Sequence, residues 1–173
     1  LRLKTLDIYQ VLKPRAATVQ PVVIVDIDEQ SLATHGQWPW PRTLLADLTS
    51  KLFVAGVATV GFDIVFAEPD RLSPGRMAES IPNLSPQAKT ALRNTPDNDL
   101  VFRETLRRHP TVLGRFLRTH QQGGHAKGLK SASIAKLGGD PMPFLPQFDG
   151  ALANLPVLEA VASGIGMLVP SQE

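Results

Sequence analysis

The feature that most constrains this fold is a run of β-branched residues that leads directly into acidic residues. The run is V-V-I-V-D-I-D, Val22–Asp28. β-branched side chains favour strands, and an apolar run without polar alternation is typical of a strand buried on both faces of an α/β sheet. Val22–Ile27 is therefore predicted to be a buried strand with Asp26 and Asp28 at its carboxyl end. In open α/β sheets, that edge is where ligands bind.

The chain after this run repeats a strand, helix and strand pattern. Arg42–Ala55 has an apolar face and a polar face, which predicts an amphipathic helix, and Val57–Phe62 is a second apolar strand followed by Asp63. This order predicts a right-handed βαβ unit with parallel strands. Thr111–Leu117 and Gly164–Val169 are predicted to be further strands. The predicted fold class is therefore α/β, with a mostly parallel sheet flanked by helices and built from consecutive βαβ units.

The remaining segments give weaker signals. The 173 residues are enough for one domain, which is the prediction here. Leu1–Leu12 is predicted to be a short amphipathic helix, and residues 1–20 to form that helix and a linker. Residues 71–96 and 119–156 are predicted to be irregular excursions. Within them, Ser85-Pro86 signals a brief helix at 87–93, and Thr95-Pro96 signals the start of a helix that runs to about residue 108.

Composition excludes several classes of function. The chain has no cysteine, which rules out disulfides, cysteine zinc sites and a thiol nucleophile. Its net charge is +2 and its basic residues are scattered, so no nucleic-acid partner is expected. No apolar run is long enough to span a bilayer. Among the four histidines only the His120/His125 pair has a weak metal-ligand spacing, and we expect neither a metal nor a cofactor.

Acidic residues gather where the predicted strands end. Asp26, Asp28 and Glu29 follow the first strand, Asp63 follows the second, and Glu68 and Asp70 lie just beyond. Such carboxylates bind Mg²⁺ or Ca²⁺, or supply a nucleophile for phosphoryl transfer. The D-x-D spacing is reminiscent of haloacid-dehalogenase-type phosphatases, although the companion lysine and second acidic pair are missing. The structural alternative is that Asp28 caps a short helix begun at residue 29, and that Asp63 pairs with Arg42 or accepts backbone N–H bonds. Both interpretations stay open.

Two tryptophan-proline pairs form a stiff hook between the first strand and the helix. They are Trp38, Pro39, Trp40 and Pro41. Each proline fixes its own φ and holds the preceding tryptophan extended. The two rings are predicted to cover the core, with a ligand platform or dimer contact as the alternative.

Several of these segments together resemble the CHASE2 domain, the extracytoplasmic sensory module of bacterial transmembrane receptors. The matching segments are P-V-V-I-V-D-I-D-E-Q-S-L (Pro21–Leu32), G-Q-W-P-W-P-R (Gly36–Arg42), A-G-V (Ala55–Val57) and G-F-D-I-V-F-A-E-P-D (Gly61–Asp70). The hook and the F-D-I-x-F-x-E-P-D segment stand at the distance from I-D-x-x-S-L that the family expects. The D-G-x-x-R-R-like segment of the family is missing, so the sheet is expected to lack the family's last strands.

The resemblance implies a non-enzymatic sensor on the outer side of the bacterial inner membrane. It implies membrane helices outside this chain, an unknown small-molecule or ion signal, and a cytoplasmic effector such as a nucleotide cyclase or a histidine kinase. The residues 1–12 helix then becomes membrane-proximal. No catalytic residue is carried over. The candidate ligand-binding residues are Asp26, Asp28, Arg42, Asp63 and Glu68. Two alternatives are a metal-dependent phosphatase that uses Asp26 and Asp28, and a structural module that forms a homodimer.

Overall fold

The structure is a computed structural model in which most of the chain is described. The described residues are 8, 9, 11–13, 22–118, 137–140, 142–144, 148 and 150–168. The chain divides into two compact units, Leu1–Trp38 and Pro39–Glu173. The boundary falls inside the tryptophan-proline hook. No helix among the described residues is both long and apolar enough to cross a bilayer.

The first unit contains helix but no strand in its described part. Residues 8, 9, 11 and 12 are helical, in line with the predicted N-terminal helix, whose other residues lie outside the described part. Helix α1, Glu29–His35, follows Asp28 and ends at Gly36, whose φ of +91° suits glycine. The start of this helix agrees with the interpretation of Asp28 as its cap.

The predicted strand Val22–Ile27 is wrong. Residues 22–28 form no ladder with any described residue, and the side chains of residues 22–25 are exposed, with Ile24 at 88%. β-branched composition makes a segment suited to a sheet, but a strand also needs a neighbour that pairs with its backbone groups. Composition alone does not supply that neighbour.

The second unit is built on a four-stranded sheet with its longest strand in the middle. The strands are β1 (Val60–Phe62), β2 (Thr111–Arg118), β3 (Gly150–Leu152) and β4 (Gly164–Leu168). β2 pairs in parallel with β1 and β4, and antiparallel with β3. The predicted α/β class with a mostly parallel sheet is confirmed. β3 lies in a segment predicted to be irregular, so that part of the prediction is wrong. Three residues are too few to show the alternation of apolar and polar side chains that identifies a strand.

Six helical segments accompany this sheet in the described residues. They are α2 (Arg42–Val54), α3 (Pro74–Ser80), α4 (Pro86–Arg93), α5 (Asn98–Arg108), a 3₁₀ turn (Met142–Phe144) and α6 (Pro156–Glu159). α2 packs against α5, α3 against α4, and α5 against α6. The predicted amphipathic helix and the 87–93 helix are confirmed.

Two helix starts differ from the sequence expectation. α3 occupies residues predicted to be irregular, and it begins with proline after Ser73, as α4 begins with proline after Ser85. α5 begins after Asp97 rather than at Thr95-Pro96, because the Asp97 carboxylate accepts the N–H groups of residues 99 and 100. At α5, therefore, the capping carboxylate of Asp97 and not the Thr95-Pro96 signal marks the start of the helix.

Part of the core lies where α5 meets β1 and the loop that follows it. Three phenylalanines, Phe62, Phe66 and Phe102, meet edge to face with ring centroids 5.3–5.7 Å apart. This arrangement suits the opposite charges of ring edge and ring face. Trp40 is 5% exposed, so its predicted core position is confirmed, whereas Trp38 is only half-buried.

We expect Gly114 to be the least replaceable glycine of the sheet. A Cβ there would lie 2.7 Å from Leu168 Cδ1 and 2.8 Å from the carbonyl oxygen of Phe62. Gly114→Ala should therefore lower the free energy of unfolding by about 1–3 kcal/mol through overpacking. Urea denaturation followed by circular dichroism measures the change.

The matched control is Gly61→Ala on β1, where a Cβ would meet nothing within 4 Å. It should change stability by less than about 0.5 kcal/mol. Equal losses in the two variants would contradict the close approach at Gly114.

Candidate functional site

The loop that follows β1 is joined to α2 and α5 through a buried arginine. Arg42, the first residue of α2, is 8% exposed. Its Nε lies 3.5 Å from Asp99 Oδ1 at the start of α5, and its Cζ lies 4.5 Å from the centroid of the Phe66 ring. Its Nη2 donates to the carbonyl oxygen of Glu68 at 3.4 Å. One guanidinium thus contacts three separate parts of the fold.

Asp70 completes the junction from the loop side. Its Oδ2 accepts the backbone N–H of Arg42 at 2.8 Å and the side-chain amide of Asn98 at 2.9 Å. Its Oδ1 accepts the N–H of Leu72, and its own N–H donates to Asp99 Oδ2 at 2.9 Å. Asp70 is 6% exposed, so these bonds replace water as the partners of a buried charge. Arg42, Asp70, Asn98 and Asp99 are called the Arg42 junction below.

The Arg42 junction holds two carboxylates for one guanidinium. Burial raises the pKa of Asp99, against the lowering effects of the Asp70 N–H and of Arg42. Burial likewise lowers the pKa of Arg42, although Asp99 and Asp70 oppose that shift. Arg42 Nε and Asp99 Oδ1 are both buried without a hydrogen bond to a described residue, so the two attract each other as charges only. The contacts of Asp99 therefore offset only part of the free-energy cost of burying its carboxylate.

A second buried network lies on β2 and α6. Arg115 is 1% exposed, and its Nη2 donates to Glu159 Oε2 at 2.8 Å. The side-chain amide of Asn154 donates to Glu159 Oε1 and to the carbonyl oxygen of Gly114. Asn154 Oδ1 accepts the N–H of Phe66 at 2.7 Å. Phe66 therefore joins the two networks, with its ring under Arg42 and its backbone on Asn154.

The predicted site residues of the second unit differ in accessibility. Asp63 and Glu68 are exposed, and no described residue makes a hydrogen bond or ion pair with either carboxylate. Arg42 is buried in its junction. The alternative in which Asp63 pairs with Arg42 is wrong, because the carboxylate within ion-pair distance of Arg42 is that of Asp99.

The predicted site residues of the first unit are both exposed. Asp28 caps α1: its Oδ1 accepts the N–H of Ser31 at 2.8 Å and the hydroxyl of Ser31 at 2.7 Å. The hydroxyl bond, and then the N–H bond, lower the pKa of Asp28. The structural interpretation of Asp28 as a helix cap is confirmed. Asp26 is exposed in the segment before it.

Sequence reasoning missed most of the residues that form the two networks. Asp70 stood only at the margin of the acidic group, and Asp99, Arg115, Asn154 and Glu159 were not singled out. Asp97-x-Asp99 at a helix start was the available signal for Asp99. Among the described residues, no three histidine or acidic side chains lie close enough together to hold a metal ion.

We expect Arg42→Met to destabilise the second unit strongly. It leaves the buried carboxylates of Asp70 and Asp99 without their cation, and breaking a buried pair from one side costs about 3–5 kcal/mol. Denaturant unfolding measures the loss. Arg93→Gln is the control: it breaks an exposed pair with Glu79, and exposed pairs contribute little. A small effect of Arg42→Met would contradict the role of the junction.

The pH dependence of stability should report the burial of Asp99. Because its pKa is raised on folding, the folded state binds the Asp99 proton more tightly, and that contribution to stability is lost as pH rises through the folded pKa. The stability of the wild type minus that of Asp99→Asn should therefore fall as pH rises from about 3.9, the ordinary pKa of an aspartate, through the raised folded pKa. Unfolding curves at several pH values provide the measurement.

Glu79→Gln is the control of opposite sign. A hydrogen bond from Arg93 lowers the pKa of Glu79, so the stability of the wild type minus that of this variant should rise as pH rises through the lowered pKa toward the ordinary value of about 4.3. Slopes of the same sign for both variants would contradict the assignment at Asp99.

Comparison with known proteins gives one match. The family model of the CHASE2 domain matches residues 1–168, which is nearly the whole chain. No curated protein and no solved structure matches the chain. CHASE2 domains are extracytoplasmic sensory domains. The family match and the mostly parallel α/β sheet agree, and this chain belongs to the CHASE2 family.

Proposed function

We propose that this chain is the extracytoplasmic sensing region of a membrane-bound bacterial receptor, and that it passes a signal to a cytoplasmic effector. The observation that carries the proposal is the match to a family of sensory domains over residues 1–168. The signal is a small molecule or an ion. In this role the domain itself performs no chemistry, and its ligand acts by binding one conformation more tightly than another.

We place the input at the exposed acids that follow β1. The carboxylates of Asp63 and Glu68 have no partner among the described residues, so a ligand need not displace an existing bond to reach them. Two carboxylates favour a cation or a ligand with amine or hydroxyl donors. Asp26 and Asp28 remain candidates in the first unit, and Asp28 would have to bind while it caps α1.

Arg42 takes a different role in this proposal from the one its sequence position suggested. Its guanidinium is buried, so it does not reach the ligand; it positions the loop. The backbone carbonyl of Glu68 accepts from Arg42 Nη2, so a shift of Glu68 on binding bears directly on the Arg42 junction. The same junction contains the first residues of α2 and α5. Ligand binding would therefore move these helices as well as the loop.

A thermal-shift screen of cations and small amines or polyols tests the proposed input. A ligand present at about a hundred times its Kd should stabilise the wild type by about 2.7 kcal/mol, because it binds the folded state only. Asp63→Asn combined with Glu68→Gln should abolish that shift. The control is Asp47→Asn, which removes an exposed carboxylate from α2 and should leave the shift unchanged.

Three outcomes would contradict the proposal. If a ligand still raises the melting temperature of the double variant, the ligand binds somewhere other than at these acids. Melting that depends on protein concentration, with no ligand effect, would favour the dimerisation module. Turnover of a phosphate ester with Mg²⁺ that is lost in Asp26→Asn would favour the phosphatase.

A further inference from the structure

The parallel strands of the second unit all begin at one edge of the sheet, called the amino edge below. Val60 of β1 is in register with Thr111 of β2, and Val112 of β2 with Gly164 of β4. Three connections arrive there: residues 55–59 after α2, residues 109–110 after α5, and residues 160–163 after α6. The surface at this edge is separate from the acids that follow β1.

The amino edge carries basic side chains from the last turns of two helices. None of its three connections contains an acidic residue. Lys51 lies in the last turn of α2, and Arg107 and Arg108 lie in the last turn of α5. Glu159, which precedes the third connection, is buried and paired with Arg115.

Part of this positive charge is compensated within the helices. Lys51 pairs with Asp47 and Arg107 pairs with Glu104, each acid lying about one turn back along the same helix. Arg108 has no ion pair with a described residue. The charge that the edge presents outward is therefore positive.

The end of α2 and the connection after it carry exposed apolar side chains at the same edge. Val54 is 90% exposed at the end of α2, and Val57 is 36% exposed after the turn. The turn between them is fixed by Gly56 at φ +95° and by the N–H of Val57, which donates to the carbonyl oxygen of Leu52. Val54 is thus held outward by a defined turn.

The neighbouring connections are fastened to this turn. The rings of Phe53 and His109 stack with centroids 4.3 Å apart. The hydroxyl of Thr59 and the N–H of Val60 both donate to the carbonyl oxygen of Pro110. On the far side, the N–H of Ser163 donates to the carbonyl oxygen of Thr111. The three connections form one prearranged surface.

We propose that the amino edge docks on an anionic lipid bilayer. Val54 would enter the headgroup layer, and Arg107, Arg108 and Lys51 would face lipid phosphates. Charge complementarity favours this occupant: exposed apolar side chains ringed by Lys and Arg are the chemistry that binds negatively charged membrane surfaces. The docked domain presents the acids after β1 away from the lipid, because they follow the opposite ends of the strands.

Co-sedimentation of the whole chain with vesicles tests the docking. The protein should bind phosphatidylcholine vesicles that contain phosphatidylglycerol, bind phosphatidylcholine alone far less, and be released by salt. Arg107→Gln with Arg108→Gln should weaken binding by more than about tenfold, because each cation near the surface contributes roughly a factor of five. Val54→Ser should weaken it by at least about threefold, because part of a valine side chain is no longer buried.

The matched control is Arg71→Gln, which removes an exposed cation from the loop after β1, outside the three connections of the amino edge. It should bind like the wild type, and circular dichroism should show that every variant is folded. The proposal is overturned if the wild type fails to bind the anionic vesicles, or if Arg71→Gln loses as much as the double variant. It is also overturned if the protein binds soluble heparin as tightly as it binds the anionic vesicles and Val54→Ser does not weaken vesicle binding. The partner would then be a polyanion.

Discussion

The arrangement of the second unit depends on the charge of Arg42. That single guanidinium faces Asp99 of α5, lies over the Phe66 ring and reaches the carbonyl of Glu68, while the backbone N–H of the same residue donates to Asp70. Because the group is buried, water competes little for these contacts. For the same reason the charge cannot be left without partners, so the loop after β1 and the start of α5 must come to it.

Phe66 extends this constraint from the helices to the sheet. Its ring belongs to the phenylalanine cluster and lies under Arg42, whereas its N–H donates to Asn154, which is bonded in turn to Glu159 and to the carbonyl of Gly114 on β2. The backbone carbonyl of Phe66 accepts the N–H of Leu155. Because closely packed interiors deform little, a displacement of Phe66 would also move the residues that contact it.

The sequence predicted the elements whose signals are local and missed those that depend on distant partners. The amphipathic pattern of α2, the Ser85-Pro86 start of α4 and the cap at Asp28 are short-range features, and each appears as expected. The run Val22–Val25 was equally clear in composition, yet pairing is decided by another segment. The sequence shows where the acidic residues stand along the chain, but composition does not reveal which of them are buried. That depends on Asp70 and Asp99 meeting Arg42 across 28 or more residues of chain.

The buried ion pairs also bear on how a sensory domain would work. Well-packed apolar residues often give equal or greater stability than a buried ion pair, so stability alone does not explain two such networks. A network of hydrogen bonds and ion pairs differs from an apolar contact because each donor can reach only a few acceptors. Intermediate positions of α2 against α5 would therefore leave charges unpaired. Such a junction favours discrete arrangements over gradual sliding. If ligand binding at Glu68 shifts the carbonyl that Arg42 holds, the response of the helices is then a change of state, which is what a receptor must pass on.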